Sequence, residues 1–177
     1  WWAEFTFHFN VGDKKTPERK GYVLPNSERY LTEIGWQDES NGATADLEVN
    51  EIRWHRIDPK NVDRDYETFA ANRLLFQIDE PTYTNDLKVG EQTVGQSNFS
   101  IRNASGYGYW SIDIVIVLIR DGLPAGVTTL TQTNFKPGET RPVSINWFDN
   151  LTGISNTIVQ PNVNILDPNV FLPPNQF

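Results

Sequence analysis

The side chains able to do chemistry are few, and their spacing serves little of it. The chain has two histidines, His8 and His55, and no cysteine. Neither histidine has a second His or a Cys at ligand spacing, whereas a zinc site takes three or four such donors. Zinc is not expected, and both read as solvent-facing strand residues. A serine hydrolase presents its nucleophile in a G-x-S-x-G turn, and no such string occurs. Carboxylates are plentiful: Asp63, Asp65 and Glu67 form one cluster, and Asp167 follows Asn162 and Asn164 in another. Neither has the spacing of a calcium loop, and loop solvation with strand-end hydrogen bonding accounts for both. Nothing selects a pair of acids for glycoside hydrolysis. No catalytic residue, metal ligand or cofactor is expected, and the chain reads as a non-enzyme.

Six Trp and six Tyr raise the question of a sugar platform, because sugar rings stack on exposed indoles and phenols. Trp1, Trp54 and Trp110 fall at strand positions that serve a core, since a β-sandwich buries large aromatics between its sheets. Trp36, Tyr107, Tyr109 and Trp147 are left as the ligand-facing aromatics of an alternative, glycan-binding reading. Asn98, Asn103 and Asn150 each head an Asn-x-Ser/Thr acceptor triplet, and they read as turn residues.

The formal net charge is −8. Phosphate recognition needs clustered Lys and Arg and none is visible, so no nucleic-acid partner is expected. Absence of Cys excludes disulfides, thiolate metal sites, thiol nucleophiles and a lipid-modified Cys within these 177 residues. Absence of Met reads as a processed form or an excised fragment with a segment upstream. Trp1-Trp2 suits the outer end of a membrane helix, which places an anchor upstream of Trp1 among the expectations.

The elements that hold these residues are short strands. Trp110 to Asp121 is the central one, with Trp110, Ile112, Ile114, Ile116 and Leu118 on the face turned to the core and a mixed, half-covered opposite face. Its run is too short and too polar at its ends for a membrane span. The chain opens on a similar strand, in which Trp1, Ala3, Phe5, Phe7 and Phe9 alternate with polar residues. Each runs into a polar turn, Gly12-Asp13 or Asp121-Gly122. Leu24 to Leu31 echoes Phe135 to Val143, so that Pro25 matches Pro137 and Arg29 matches Arg141. Two copies of one β-unit follow.

Further strands are expected at 21–24, 29–36, 47–57 with a bulge near Asn50-Glu51, 74–78, 127–134, 141–148 and around 157–165. Residues 62–72 carry the only helical spacing, worth a turn or two. Units of 1–72 and 73–177 result. The first copy lacks the strand that precedes Trp110 in the second. A sandwich does not leave such a slot open, because its neighbours expose unpaired backbone groups. The repair is an upstream segment, residues 74–94 folding back, or a strand donated by another molecule.

Asn103-Ala104-Ser105, the Trp110–Ile119 strand, Asp121-Gly122, Gly126-Val127-Thr128 and Pro137-Gly138-Glu139 together resemble the FxLYD-type immunoglobulin-like modules of bacterial envelope proteins. Leu24 to Leu31 followed by Ile52 to Ile57 is similar to uncharacterised secreted or membrane-anchored proteins of small-genome bacteria. The Phe-x-Leu-Tyr-Asp string itself is replaced by Val117-Leu118-Ile119-Arg120-Asp121. The resemblance implies an all-β chain of two immunoglobulin-like antiparallel β-sandwich units, the first lacking its N-terminal strand. It also implies a setting outside the cytoplasm and a structural or interaction role. The partner expected is a protein, or a second copy through β-strand pairing; a strand-donation filament subunit is the other alternative.

Overall fold

A computed structural model describes residues 1–36, 44–62, 65–148 and 151–176. The chain is all-β, with antiparallel pairing throughout the described strands, and it divides into two compact units, Trp1–Phe69 and Ala70–Phe177.

Unit 1 is built on β1 (Trp2–Val11). β2 (Lys14–Lys15) and β3 (Arg19–Val23) pair along one side of it, and β4 (Ala45–His55) along the other. Gly12, at φ +59, makes the two-residue turn from β1 to β2. Between β2 and β3 the ladder breaks at Pro17, which has no N–H. Thr16 bridges the break: its N–H donates to the Phe9 carbonyl at 2.9 Å and its Oγ1 accepts from the Phe9 N–H at 2.9 Å. Lys14, Lys15, Arg19 and Lys20 of the charged stretch expected as a loop at 13–20 therefore lie in edge strands.

No strand forms at 29–36. Side chains rather than a backbone ladder hold this segment, because Arg19 donates to both carboxylate oxygens of Glu33 at 2.7 and 2.6 Å. Each of the two arginines matched in sequence lies over an aromatic ring. Arg29 lies 4.0 Å over the Tyr22 ring on β3, and Arg141 lies 4.9 Å over the Phe135 ring on the strand that pairs with the Trp110 strand. Helix α1 (Tyr66–Arg73) is two turns long, and its first turn is capped by Asp65, which accepts from the Thr68 N–H at 2.7 Å.

Unit 2 has two sheets. In the first, β7 (Gln92–Asn103) lies between β10 (Thr140–Trp147) on one side and β5 (Phe76–Ile78) and β6 (Thr82–Val89) on the other. In the second, β8 (Tyr109–Arg120) lies between β9 (Leu123–Phe135) and β11 (Asn156–Asn162). Residues 74–94 thus complete unit 2 through β7 and do not repair the slot in the first copy. Phe76 joins the sheets, with its ring 5.6 Å from that of Tyr109 and 6.3 Å from that of Phe135. Asp121-Gly122, at φ +52 and +79, has both central residues left-handed, as the tight β8–β9 turn requires.

Ile112, Ile114, Ile116 and Leu118 are fully buried, and so are Val115 and Val117, so the middle of β8 is covered on both faces. The half-covered second face expected of it is corrected. Trp110 departs from its expected inward position and is 43 % exposed. Tyr109 occupies the inward slot between Phe76 and Phe171, opposite Phe135, and Asn134 next to Phe135 has φ +51. Both β1 and β8 are central strands flanked on each side. The described strands of unit 1 nevertheless form one sheet, where unit 2 has two.

Candidate functional site

The aromatics assigned to a ligand face divide between core and surface. Tyr109 is wholly buried; its hydroxyl donates to the Arg73 carbonyl, and burial pushes its phenol up to about 12. Trp147 is buried, with its indole N–H donated to Ser97 Oγ at 2.9 Å. Both serve the core of unit 2. Tyr107 is half-buried against Phe171, with the Arg73 guanidinium 4.3 Å over its ring. Trp36 is half-buried at the end of a described segment of unit 1.

His8 is placed otherwise than expected, whereas His55 keeps a solvent-facing place on its strand. His8 is buried, its Nε2 3.2 Å from Asn10 Oδ1 and 3.4 Å from Glu48. His55 stacks on Trp2 at 4.5 Å and pairs with Glu4 at 3.0 Å. Asp63 lies outside the described residues. Asp65 caps α1, and Asp167 accepts from the Asn169 N–H at 2.9 Å to cap a short 3₁₀ turn at Pro168–Val170. Among the described residues no group of three or more His, Cys, Asp or Glu converges.

Asn103 is a structural hub. It is fully buried and donates to the carbonyls of Tyr107 and Lys136 at 2.7 and 3.1 Å, while its Oδ1 accepts from the N–H and hydroxyl of Ser105 at 3.1 and 2.7 Å. Its side-chain nitrogen is committed to the fold. The turn reading of this triplet accounts for it.

The feature with the form of a site is β4. Its ladder to β1 shifts at Glu51, which has φ +47, so the bulge expected at Asn50-Glu51 is present and the alternation restarts after it. Leu47, Val49 and Trp54 stand opposite Phe9, Phe7 and Ala3 on one face, and Ile52 joins them by alternation with its neighbours. Asp46, Glu48, Asn50, Arg53 and His55 stand opposite Asn10, His8, Thr6, Glu4 and Trp2 on the other. Without the bulge, Val49 and Ile52 would lie on opposite faces.

Trp54 was expected between sheets. It is instead 65 % exposed, with Ile52 at 53 % and Leu47 at 47 %. The rings of Phe5, Phe7 and Phe9 run in series along β1 and Phe7 is buried, so the apolar cover ends at the β1 row and leaves the β4 row open. No described strand pairs with the outer edge of β4.

On the polar face, a cleft of about 290 Å³ is lined by Glu4, Thr6, Lys20, Tyr22, Glu51 and Arg53. Its charges balance, two acids against two bases. Thr6 Oγ1 lies buried there without a hydrogen-bond partner. Nearby, hydrogen bonds from Asn10 and Asn50, with the charges of Lys15 and His8, hold the Glu48 carboxyl below the usual carboxylate range.

Sequence reasoning found the bulge in β4 but missed the site. The signal was an alternating strand with apolar residues on one face, which no second sheet among the described residues of unit 1 covers. No protein-family model, curated protein or solved structure matches this chain.

Proposed function

We propose that the chain is a non-catalytic interaction module that takes up an extended partner strand along the outer edge of β4. The observation that carries this reading is the conjunction of an eleven-residue strand edge that no described strand pairs with and a row of exposed apolar side chains on one face of it. Long, apolar, uncovered edges are the ones that proteins blunt unless pairing is their purpose. Strand addition draws affinity from main-chain hydrogen bonds and specificity from alternate side chains, and β4 offers both. The exchange of strands between the two sheets of unit 2 supports an immunoglobulin-like reading of that unit. Together with the motif resemblance, it supports a setting outside the cytoplasm in a bacterial envelope or surface protein. The glycan alternative loses two of its four aromatics to the core.

A photo-reactive side chain at position 52, compared with one at the solvent-facing Ser144 of β10, tests the reading in cells of the source organism. Specific crosslinks at position 52 and none at 144 are expected. Equal or absent crosslinking at both positions refutes strand uptake at this edge.

A further inference from the structure

The β4 edge carries more than an invitation to pair, because its sequence names the partner. We infer that a second copy of this chain is the strand it accepts, in antiparallel register about a two-fold axis between Asn50 and Glu51. This deepens the strand-uptake reading and rests on it.

In an antiparallel pair, directly opposed residues share a face, and a two-fold axis normal to the sheet leaves each residue on the same face in both copies. A regular strand pairing with itself therefore joins residues of equal parity, odd with odd or even with even. β4 is not regular. Its bulge puts Leu47, Val49, Ile52 and Trp54 on one face and Asp46, Glu48, Arg53 and His55 on the other. About an axis between Asn50 and Glu51, Leu47 then meets Trp54 and Val49 meets Ile52 on the apolar face. On the polar face Glu48 meets Arg53, and Asp46 meets His55. These four opposed pairs each share a face and are apolar against apolar or acid against base, and at the axis itself Asn50 meets Glu51.

Composition alone does not ensure this. Moving the register by two residues sets Asp46 against Arg53 but leaves Glu48 opposite Glu51, acid against acid, and brings Val49 opposite polar Asn50. The opposite shift sets Glu48 against His55 and Val49 against Trp54 but leaves Leu47 and Asp46 opposite Arg56 and Ile57, beyond the end of β4, and Glu51 opposite Ile52. The central register is the one that keeps two apolar pairs and two acid–base pairs within the strand. The bulge that ordinarily twists an edge away from pairing lies beside the axis here, so the extra residue Glu51 of each strand faces Asn50 of the other and neither half of the pairing gains a residue over the other. The pairing residues are accessible: the Arg53 and Glu48 side chains are exposed, the first only loosely held by Glu51 at 3.7 Å. Opposed apolar and opposed-charge pairs are the unit of sheet stabilisation, and like charges directly opposed destabilise.

The test uses the register. Sedimentation velocity on the purified chain is expected to show a reversible dimer. Glu48→Arg sets base against base twice across the axis and Arg53→Glu sets acid against acid twice, so each variant alone is expected to weaken the dimer about tenfold. An equimolar mixture of the two variants, and the double variant E48R/R53E, are both expected to restore it. Restoration on mixing also shows that neither variant is misfolded. A monomer at the highest attainable concentration, or a dimer indifferent to both substitutions, overturns the inference. A monomeric chain whose position 52 still crosslinks to a different protein in cells overturns self-pairing and leaves strand uptake standing.

Discussion

The indole nitrogen of Trp147 donates a 2.9 Å hydrogen bond to the hydroxyl of Ser97, and both residues are buried on neighbouring strands of one sheet. A buried donor without an acceptor costs more than the bond contributes when made. Ser97→Ala is therefore expected to destabilise unit 2 by about 1–3 kcal/mol. In a Trp147→Phe background, where no N–H remains to be stranded, the same change is expected to cost far less. Urea denaturation of the four proteins in the double-mutant cycle reads the difference.

Neighbouring positions on β8 separate core from surface. Ile114 is fully buried, so Ile114→Ala is expected to lose about 2–5 kcal/mol. Trp110 is largely out of the core, so Trp110→Ala is expected to lose less than about 1 kcal/mol despite its greater bulk. Equal losses in thermal unfolding would place Trp110 inward after all.

What the sequence made legible was local. Asp121-Gly122 declares a tight turn through the conformations its residue types tolerate, polar Asn50-Glu51 declares a bulge by breaking the apolar alternation, and the Ile-Val run of β8 declares burial by period alone. Trp54 and Trp110 misled because a large aromatic on an alternating strand is read as core, and only tertiary packing decides whether a second layer lies over it. In unit 2 Tyr109 took the inward slot; in unit 1 the described strands make one sheet. The 29–36 segment alternates as a strand does, but Arg19 and Glu33 hold it by side chains. The self-complementarity of β4 was written in its residues and unreadable until the bulge fixed their faces.

Asn103 tests the polar side of the core. Its amide both donates and accepts among the backbone and side-chain groups of Ser105, Tyr107 and Lys136. Asn103→Ala strands several of these groups at once and is expected to cost at least about 2 kcal/mol. Asn103→Asp keeps the acceptor and loses the donor, leaving a buried carboxylate that faces two carbonyls. That variant is expected to regain stability as pH falls and the carboxylate takes up a proton, an effect absent from the Ala variant. Denaturation midpoints at pH 7 and pH 4.5, each compared with the unsubstituted chain, check it.

Alkaline conditions single out Tyr109. Burial raises its phenol from 10.0 to about 12 in the folded chain, so between these values the unfolded chain holds fewer protons than the folded one. Stability is unaffected by this group below pH 10 and falls as pH rises from there towards 12. Tyr66, raised to about 12 by burial, adds to the same slope. Tyr109→Phe is expected to flatten the fall without abolishing it. Midpoints measured at pH 8, 10 and 11 show whether the slope changes.

The extra residue at Glu51 also sets what heredity can do to this strand. Eleven residues of β4 span ten of β1, so a lost codon at this point is not a local event. It turns over the whole half-strand from Ala45 to Asn50, sending Leu47 and Val49 to the polar face and Asp46 and Glu48 among the phenylalanines. A substitution in β4 alters one side chain; a change of length at this one point re-faces six.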